Sequence, residues 1–215
     1  MNRTDFFWAT GRIYMGMPAR LLTRGRAYGR ENFPRTGGVV LAVNHLHWID
    51  VPLVGSLSPR NLDFVAKVEA VSFPWLGDFL RLFGTIAVRR GESDREAVRQ
   101  MRKAASEGHA LGLFVEGTRQ RTGHPGTARP GAAMVAIQED VPVVPAAVYG
   151  TQFWKPTNLA PCSIAFGEPM RFDGLPKNGR GYKEGTKEIE ARIHGLFDWL
   201  RELHARGRPK HATPP

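Results

Sequence analysis

The sequence predicts one α/β domain with a largely parallel central sheet flanked by helices, preceded by an amphipathic helical segment. Short apolar runs alternate with stretches of helical period from Gly38 onward, which is the pattern of layered α/β domains. The run at 39–43 is apolar at every position, as expected of a parallel strand buried on both faces. A length of 215 residues suits a single domain with its own core.

The individual elements follow from these periods in chain order. Apolar and β-branched runs predict strands at 39–43, 62–66, 85–88, 111–115, 143–148 and 163–166. Helical spacing of apolar residues predicts helices at 48–57, 73–83, 93–107, 130–138 and 182–205. Ser93 and Glu96 form a capping box where the third of these helices should begin, and Gly108 follows its end. The tail at 207–215 is basic and proline-rich, so we expect it to be disordered.

Positive charge is concentrated near the start of the chain. The sequence holds 30 Lys and Arg against 20 Asp and Glu, a formal net charge of +10 that indicates a polyanionic partner. Residues 1–35 carry seven arginines against two acidic residues. We therefore divide the chain into a basic segment at 1–29, a main domain at 30–206 and the tail. The basic segment has an apolar face at helical spacing, and Pro18 should break it into two pieces. That face consists of Phe6, Ile13, Tyr14, Met17 and Leu21.

Two environments fit this segment. A basic helix with an aromatic apolar face is typical of an anionic membrane surface, although the face could also pack on the domain's own core. Nucleic acid is not expected as a partner, because no zinc-finger, RNP or homeodomain-like pattern accompanies the charge. No uncharged run reaches the roughly 18 residues of a spanning helix. A single cysteine, Cys162, excludes an internal disulfide framework and a Cys-based zinc site.

An acid and a base follow the first predicted strand. His45 lies where strand becomes loop, and Asp50 lies five residues later near the start of the next helix. If the turn folds the carboxylate onto the imidazole, Asp50 fixes the tautomer and the second ring nitrogen can take a proton from a hydroxyl. Backbone amides at the helix start could stabilise an oxyanion. The alternatives are a helix-capping Asp beside a buried His, or a metal site that includes His47, for which no further clustered His is nearby.

Arginines follow two other predicted strands. Arg90 follows the strand at 85–88, and Glu116, Arg119 and Arg129 follow the strand at 111–115. Because sites in such sheets lie beyond the carboxyl ends of the strands, these guanidinium groups could form a cradle for a phosphate monoester. Glu116 would be their ion-pair partner and would stay ionised. The alternative is a solvated basic loop.

Four ordered blocks of sequence resemble the glycerolipid acyltransferases, and among them the lysophosphatidic acid acyltransferase branch most. The likeness runs from about residue 30 to about residue 169. The first block is Asn44 and His45 with Asp50, and the second is GTIAVRR at 84–90. The third is FVEGTR at 114–119, and the fourth is VPVVP at 141–145.

The resemblance assigns roles to single residues. It implies that His45 is the base and Asp50 its carboxylate partner. It implies an acceptor site at the residues that match the family's binding positions, and a last proline tied to handling of the acyl donor. These binding residues are Lys67, Arg90, Glu116, Gly117, Thr118, Arg119, Arg129 and Pro145.

The resemblance implies transfer of a fatty acyl group from an acyl thioester to the free hydroxyl of a lysophospholipid, most plausibly lysophosphatidic acid. The donor would be acyl-CoA or acyl-acyl carrier protein, with no metal and no cofactor. We expect a peripheral or monotopic enzyme on the cytoplasmic face of an anionic membrane. Val115 where Pro is common, Ala87 where an aromatic is usual, and Ala128 depart from the pattern. They leave open another acceptor, namely glycerol 3-phosphate, another lysolipid or a glycolipid, and a non-catalytic membrane-binding protein.

Overall fold

The apolar run at 39–43 forms the central strand of the sheet. The computed structural model describes residues 10–11, 14, 16–67, 85–88 and 95–215. In this part of the chain seven strands form one sheet: β1 (Arg26–Tyr28), β2 (Val39–Val43), β3 (Asp63–Lys67), β4 (Ile86–Val88), β5 (Ala110–Phe114), β6 (Val143–Tyr149) and β7 (Ser163–Phe166). Their order across the sheet is β1-β7-β6-β2-β5-β3-β4, so that β2 has three strands on either side.

The prediction of a largely parallel sheet is confirmed. The neighbouring strands β6, β2, β5, β3 and β4 all run parallel, whereas β7 runs antiparallel to β6 and carries β1 alongside it. The chain returns from β6 to β7 through a short 3-10 turn, Thr151–Phe153, and a loop. An antiparallel neighbour needs no helical crossover, which is why β7 can follow so directly.

Helices cover both faces of this sheet, as the continuous apolar strands require. They are α1 (Met17–Leu22), α2 (Asp50–Leu57), α3 (Arg95–Ser106), α4 (Gly131–Glu139) and α5 (Gly179–Ala205). Val39, Leu41 and Val43 face a core cluster shared with α2, while Val40 and Ala42 face a second cluster shared with α3, α4 and α5. Alternate side chains of β2 are thus buried on opposite sides.

Two helix starts differ from the predicted ones for local reasons. Helix α2 begins at Asp50 rather than at 48, after a loop whose amides bind the Asp50 carboxylate. Helix α5 begins three residues before the predicted 182, because the Asn178 side chain accepts from the amides of Arg180 and Gly181 and caps it. The predicted helix at 73–83 and the capping residue Ser93 lie outside the described residues.

At the edge of the sheet the structure differs from the sequence predictions in two places, the strand β1, which was not predicted, and the tail. The tail at 207–215, expected to be disordered, instead contacts the start of the chain. Arg208 is 8% exposed, and its guanidinium donates to the carbonyl oxygens of Arg24 and Cys162 and to Oγ of Ser163. These hydrogen bonds from a charged guanidinium to groups distant in sequence explain why this basic residue is ordered.

The basic segment is described only in its second part. Pro18 lies in the first turn of α1, so it marks the start of this helix. Tyr14, Met17 and Leu21, three members of the predicted apolar face, are exposed and do not pack on the core. Phe6 and Ile13 lie outside the described residues. Within the described residues, no helix combines the length and the apolar character needed to cross a bilayer.

Candidate active site

The site begins where β2 leaves the sheet. Asn44, the first residue after β2, is fully buried and bonds the backbone of Val148 in β6. Its Nδ2 donates to the Val148 carbonyl at 3.2 Å, and its Oδ1 accepts from the Val148 amide at 2.8 Å. The side-chain amide thereby replaces a pair of ladder bonds and fixes the point at which the next residue, His45, emerges at the carboxyl edge.

His45 and Asp50 are in contact, as the spacing predicts. Nδ1 of His45 lies 2.9 Å from Oδ2 of Asp50, and the two side chains are 14% and 0% exposed. The same oxygen accepts from the backbone amides of Leu46 and His47, each at 2.7 Å. The loop before α2 is therefore wrapped around the carboxylate, which also lies in the first turn of the helix, where negative charge is favoured.

This contact sets the state of the imidazole. Because Oδ2 of Asp50 can only accept from the ring, Nδ1 of His45 carries the proton. Nε2 then carries a lone pair, and within the described ranges it has no hydrogen-bond partner. A neutral histidine held in this way can take a proton at Nε2, and the buried carboxylate stabilises the resulting imidazolium.

The expected oxyanion donors at the start of α2 are already engaged. The amides of Leu46 and His47 donate to Asp50, and the amide of Asp50 itself donates to the His47 carbonyl. The amide of Ile49 donates to Nδ1 of His47 at 3.4 Å. That expectation is therefore wrong for these four amides, because two of them hold the Asp50 carboxylate and the other two donate to His47.

His45 is held from the side by the end of β5. Its ring stacks on Phe114 with centroids 4.1 Å apart and planes 29° apart. Its amide donates to Oε2 of Glu116 at 2.9 Å, and its carbonyl accepts from the amide of Gln120 at 2.8 Å. The register of the sheet explains this, since Val43 is paired with Phe114 and the residues that follow both strands meet. Sequence analysis assigned no role to Phe114 or Gln120, and only their positions, at the start of the third block and directly after it, could have indicated one.

Glu116 does not act as the ion-pair partner that was expected. It is 3% exposed, and its second oxygen, Oε1, accepts from the amide of Gly126 at 3.2 Å. Burial raises the pKa of Glu116 to about 7, and the charge of Asp50 adds to the rise, although backbone amides including those of Gly126 and His45 oppose it. The prediction that arginines keep it ionised is therefore wrong among the described residues, where its partners are neutral amides.

The last residues of the third block lead from this carboxylate towards solvent. Gly117 has φ of +68°, and a β-carbon there would lie 3.1 Å from Cδ and Nε of Arg129, so a glycine is required. Arg129 is exposed, and its Nε donates to the carbonyl oxygen of Glu116 at 3.1 Å. Thr118 and Arg119 are exposed on the same loop. Two of the predicted binding arginines, Arg119 and Arg129, thus lie exposed in the loop that follows β5.

The pKa of His47 depends on burial and on the charges around it. Burial lowers the pKa of His47, and the positive charges of Arg119 and His45 add to the lowering, while Asp50 opposes it. The effect of Arg119 on this pKa indicates that its guanidinium lies near His47. The His47 ring also contacts the rings of Trp48 and Trp154, at centroid distances of 5.5 and 5.8 Å.

The remaining predicted residues are divided between the site edge and the core. Lys67 is the last residue of β3, so its backbone lies at the carboxyl edge; the placement of its side chain, and all of Arg90, lie outside the described residues. Pro145 is buried inside β6, paired with Ala42 of β2, three residues before His45. The structure does not bring Pro145 to the surface of the site. In the part of the chain that the structure describes, no three His, Cys, Asp or Glu side chains are grouped to hold a metal ion.

The parallel sheet, the His–Asp pair after β2 and the arginine loop after β5 together define an acyltransferase domain. The family model named Acyltransferase matches residues 24–149, and the chain belongs to this family of enzymes. The family resemblance of the four blocks is thereby confirmed.

Particular relatives agree with this assignment. The chain is 30% identical over 183 residues to the 1-acyl-sn-glycerol-3-phosphate acyltransferase of Bacillus subtilis, covering 83% of this chain and 90% of the relative. It is 32% identical over 112 residues to the lyso-ornithine lipid O-acyltransferase of Pseudomonas aeruginosa, covering 52% and 40%. The crystal structure of the 1-acyl-sn-glycerophosphate acyltransferase PlsC from Thermotoga maritima has the same fold, with a TM-score of 0.74 at 21% identity over 94% of this chain and 82% of that one.

Proposed function

We propose that this acyltransferase moves a fatty acyl group from an acyl thioester to the free hydroxyl of lysophosphatidic acid, giving phosphatidic acid. The buried hydrogen bond of 2.9 Å between His45 and Asp50 carries the proposal, because it prepares a base for a hydroxyl. The relative in Bacillus subtilis, whose name specifies 1-acyl-sn-glycerol-3-phosphate, supports the acceptor.

The proposed reaction is a direct transfer. The proton of the acceptor hydroxyl passes to Nε2 of His45 as the oxygen attacks the thioester carbonyl carbon. The tetrahedral adduct then collapses, the carbon–sulfur bond breaks, and the leaving thiolate takes the proton from Nε2. The steps balance with His45, Asp50 and the two substrates alone, so no metal, cofactor or acyl-enzyme is included. Coenzyme A and acyl carrier protein are both possible carriers of the thioester.

A panel of acceptors tests this function. The wild-type chain is incubated with a labelled acyl thioester, on either carrier, and with lysophosphatidic acid, glycerol 3-phosphate or lyso-ornithine lipid. We expect kcat/KM to be highest for lysophosphatidic acid, with the label recovered in phosphatidic acid. A preference for lyso-ornithine lipid would favour the second candidate, which the Pseudomonas aeruginosa relative supports. Vesicle binding without transfer to any acceptor would favour a non-catalytic membrane protein.

Arg119 is proposed to bind the acceptor phosphate, together with Lys67, Arg90 and Arg129. Its guanidinium is exposed beside the base, where it can form charge-assisted bonds to phosphate oxygens. Arg119→Ala should raise KM for lysophosphatidic acid about 10- to 100-fold, because a hydrogen bond to a charged group is worth roughly 1.5–3 kcal/mol. The value of kcat at saturation should change less. Arg192→Ala, at an exposed position on α5, is the matched control, and an unchanged KM in Arg119→Ala would contradict the assignment.

An anionic membrane surface is proposed as the place of action, on its cytoplasmic face, with the enzyme peripheral or monotopic. Leu21 of α1 is 69% exposed and Trp48 of the active-site loop is 53% exposed. The two are connected, because Trp154 contacts Trp48 edge to face and donates from Nε1 to the carbonyl of Leu22 at 3.0 Å. Exposed apolar side chains therefore extend from a basic helix to the loop that carries the base. Such a surface suits the interface of an anionic bilayer.

Leu21→Glu tests this surface. Removing a leucine that would insert into the bilayer, and adding a negative charge next to anionic lipid, should weaken partition into phosphatidylglycerol vesicles about 10- to 100-fold. Co-sedimentation measures the partition. His194→Glu adds the same charge at an exposed position of α5, across the sheet from α1 and α2, and should bind vesicles like the wild type. Equal loss in both variants would mean that net charge alone governs binding.

A further inference from the structure

We propose that the segment 114–120 is a clamp for the base, and that Glu116 is a positioning residue acting through His45 rather than a ligand of the acceptor. This inference rests on the proposed function for its kinetic test. The clamp consists of three contacts to one residue: Phe114 on the ring of His45, Glu116 on its amide and Gln120 on its carbonyl. Every part of His45 except Nε2 is thereby held.

Both oxygens of Glu116 are already committed to backbone amides. Oε2 accepts from His45, in the loop after β2, and Oε1 accepts from Gly126, in the loop after β5. The carboxylate therefore ties two loops together at the edge of the sheet. Because both oxygens of this buried side chain accept from backbone amides, neither is free to contact a phosphate. Its contacts fit a support for the base.

A backbone hydrogen bond between the ends of β2 and β5 also supports the role of Glu116 in positioning His45. The amide of Val115 donates to the carbonyl of Val43 at 3.0 Å. A proline, which is common at this position in the family, has no amide proton to donate. In this chain the ends of β2 and β5 are therefore bonded up to the residue before Glu116, which leaves His45 little freedom relative to the clamp.

The choice of residue at 116 also follows from this geometry. A carboxylate offers acceptors to both amides, whereas a glutamine offers one acceptor and one NH₂ donor. In Glu116→Gln, the amide of His45 or of Gly126 would face a donor, and the loop holding His45 would shift. Small displacements of a base from its reacting proton can lower rates by about 100-fold, which sets the scale expected here.

The kinetic test separates positioning from binding. Glu116→Gln should lower kcat about 10- to 100-fold, with KM for lysophosphatidic acid and its equilibrium Kd in the absence of donor within about twofold of wild type. Glu190→Gln is the matched control, because Oε2 of Glu190 accepts from the amide of Ala128 in the same loop, at 2.5 Å, without contacting His45. It should leave kcat unchanged. A raised Kd with kcat preserved in Glu116→Gln would overturn the inference.

A second measurement does not depend on the acceptor. The proton on Nδ1 of His45, bonded to buried Asp50, should give a downfield ¹H resonance that disappears in His45→Ala. Glu116→Gln should shift or broaden this resonance, and Glu190→Gln should not. Phe114→Leu, which removes the ring stack, should act like Glu116→Gln and serves if that variant does not fold. An unchanged resonance in both clamp variants would overturn the inference even if the acceptor proposed above were wrong.

Discussion

His45→Ala is expected to lower kcat for acyl transfer about 10³- to 10⁴-fold, which is the largest effect of any single substitution proposed for this chain. Loss of a positioned general base alone commonly lowers the rate about 10²- to 10⁴-fold. Among the described residues, His45 is the only side chain that bonds to Asp50, so no second base could replace it. The substitution removes Nε2, the atom that accepts the proton, so the acceptor hydroxyl would have to transfer its proton to water instead. The rate is measured with a labelled acyl thioester and saturating lysophosphatidic acid.

A second His–Asp pair in the same chain provides the control. Nδ1 of His109 bonds Oδ2 of Asp63 at 2.6 Å, but these residues lie at the starts of β5 and β3, at the opposite edge of the sheet. His109→Ala removes the same kind of contact and should keep wild-type turnover. His45→Ala should still fold, as judged by circular dichroism, because the Asp50 carboxylate retains its two amide donors. Turnover within about tenfold of wild type in His45→Ala would contradict its role as the base.

The residues of the acid–base pair could be predicted from sequence because their geometry is local. Five residues separate His45 from Asp50, and a turn between a buried strand and a helix can bring their side chains together whatever the rest of the fold does. That His45 and Glu116 lie close together could also be predicted, because parallel strands present their carboxyl ends at one edge of the sheet.

The partners of Glu116 could not be predicted because they depend on burial and on register. A glutamate three residues before Arg119 is expected to pair with it, yet the strand end turns the carboxylate inward, towards the amides of His45 and Gly126. The order of the tail could not be predicted for the same reason, because Arg208 donates to the carbonyl oxygens of Arg24 and Cys162, which are far away in sequence. Backbone partners leave no residue-type signal, because every residue except proline has an amide.

Asp50→Asn and Asp50→Ala should together show what the carboxylate contributes. Oδ2 accepts all three hydrogen bonds, from His45, Leu46 and His47, while Oδ1 is buried without a partner in the described structure. An asparagine can place its oxygen at the Oδ2 position and its NH₂ at the Oδ1 position. It then keeps the imidazole in the same tautomer and orientation and removes only the negative charge.

The expected losses differ for that reason. A unit charge about 4 Å from the imidazolium is worth about 4 kcal/mol at an effective dielectric constant of about 20, so Asp50→Asn should lower kcat about 10²- to 10³-fold with KM unchanged. Asp50→Ala removes the orientation as well and should approach, without exceeding, the loss in His45→Ala, because both act on one base. Asp63→Asn is the control at the opposite edge of the sheet. If Asp50→Asn were as inactive as Asp50→Ala, the tautomer would have been lost with the charge, and the asparagine oxygen would not occupy the Oδ2 position.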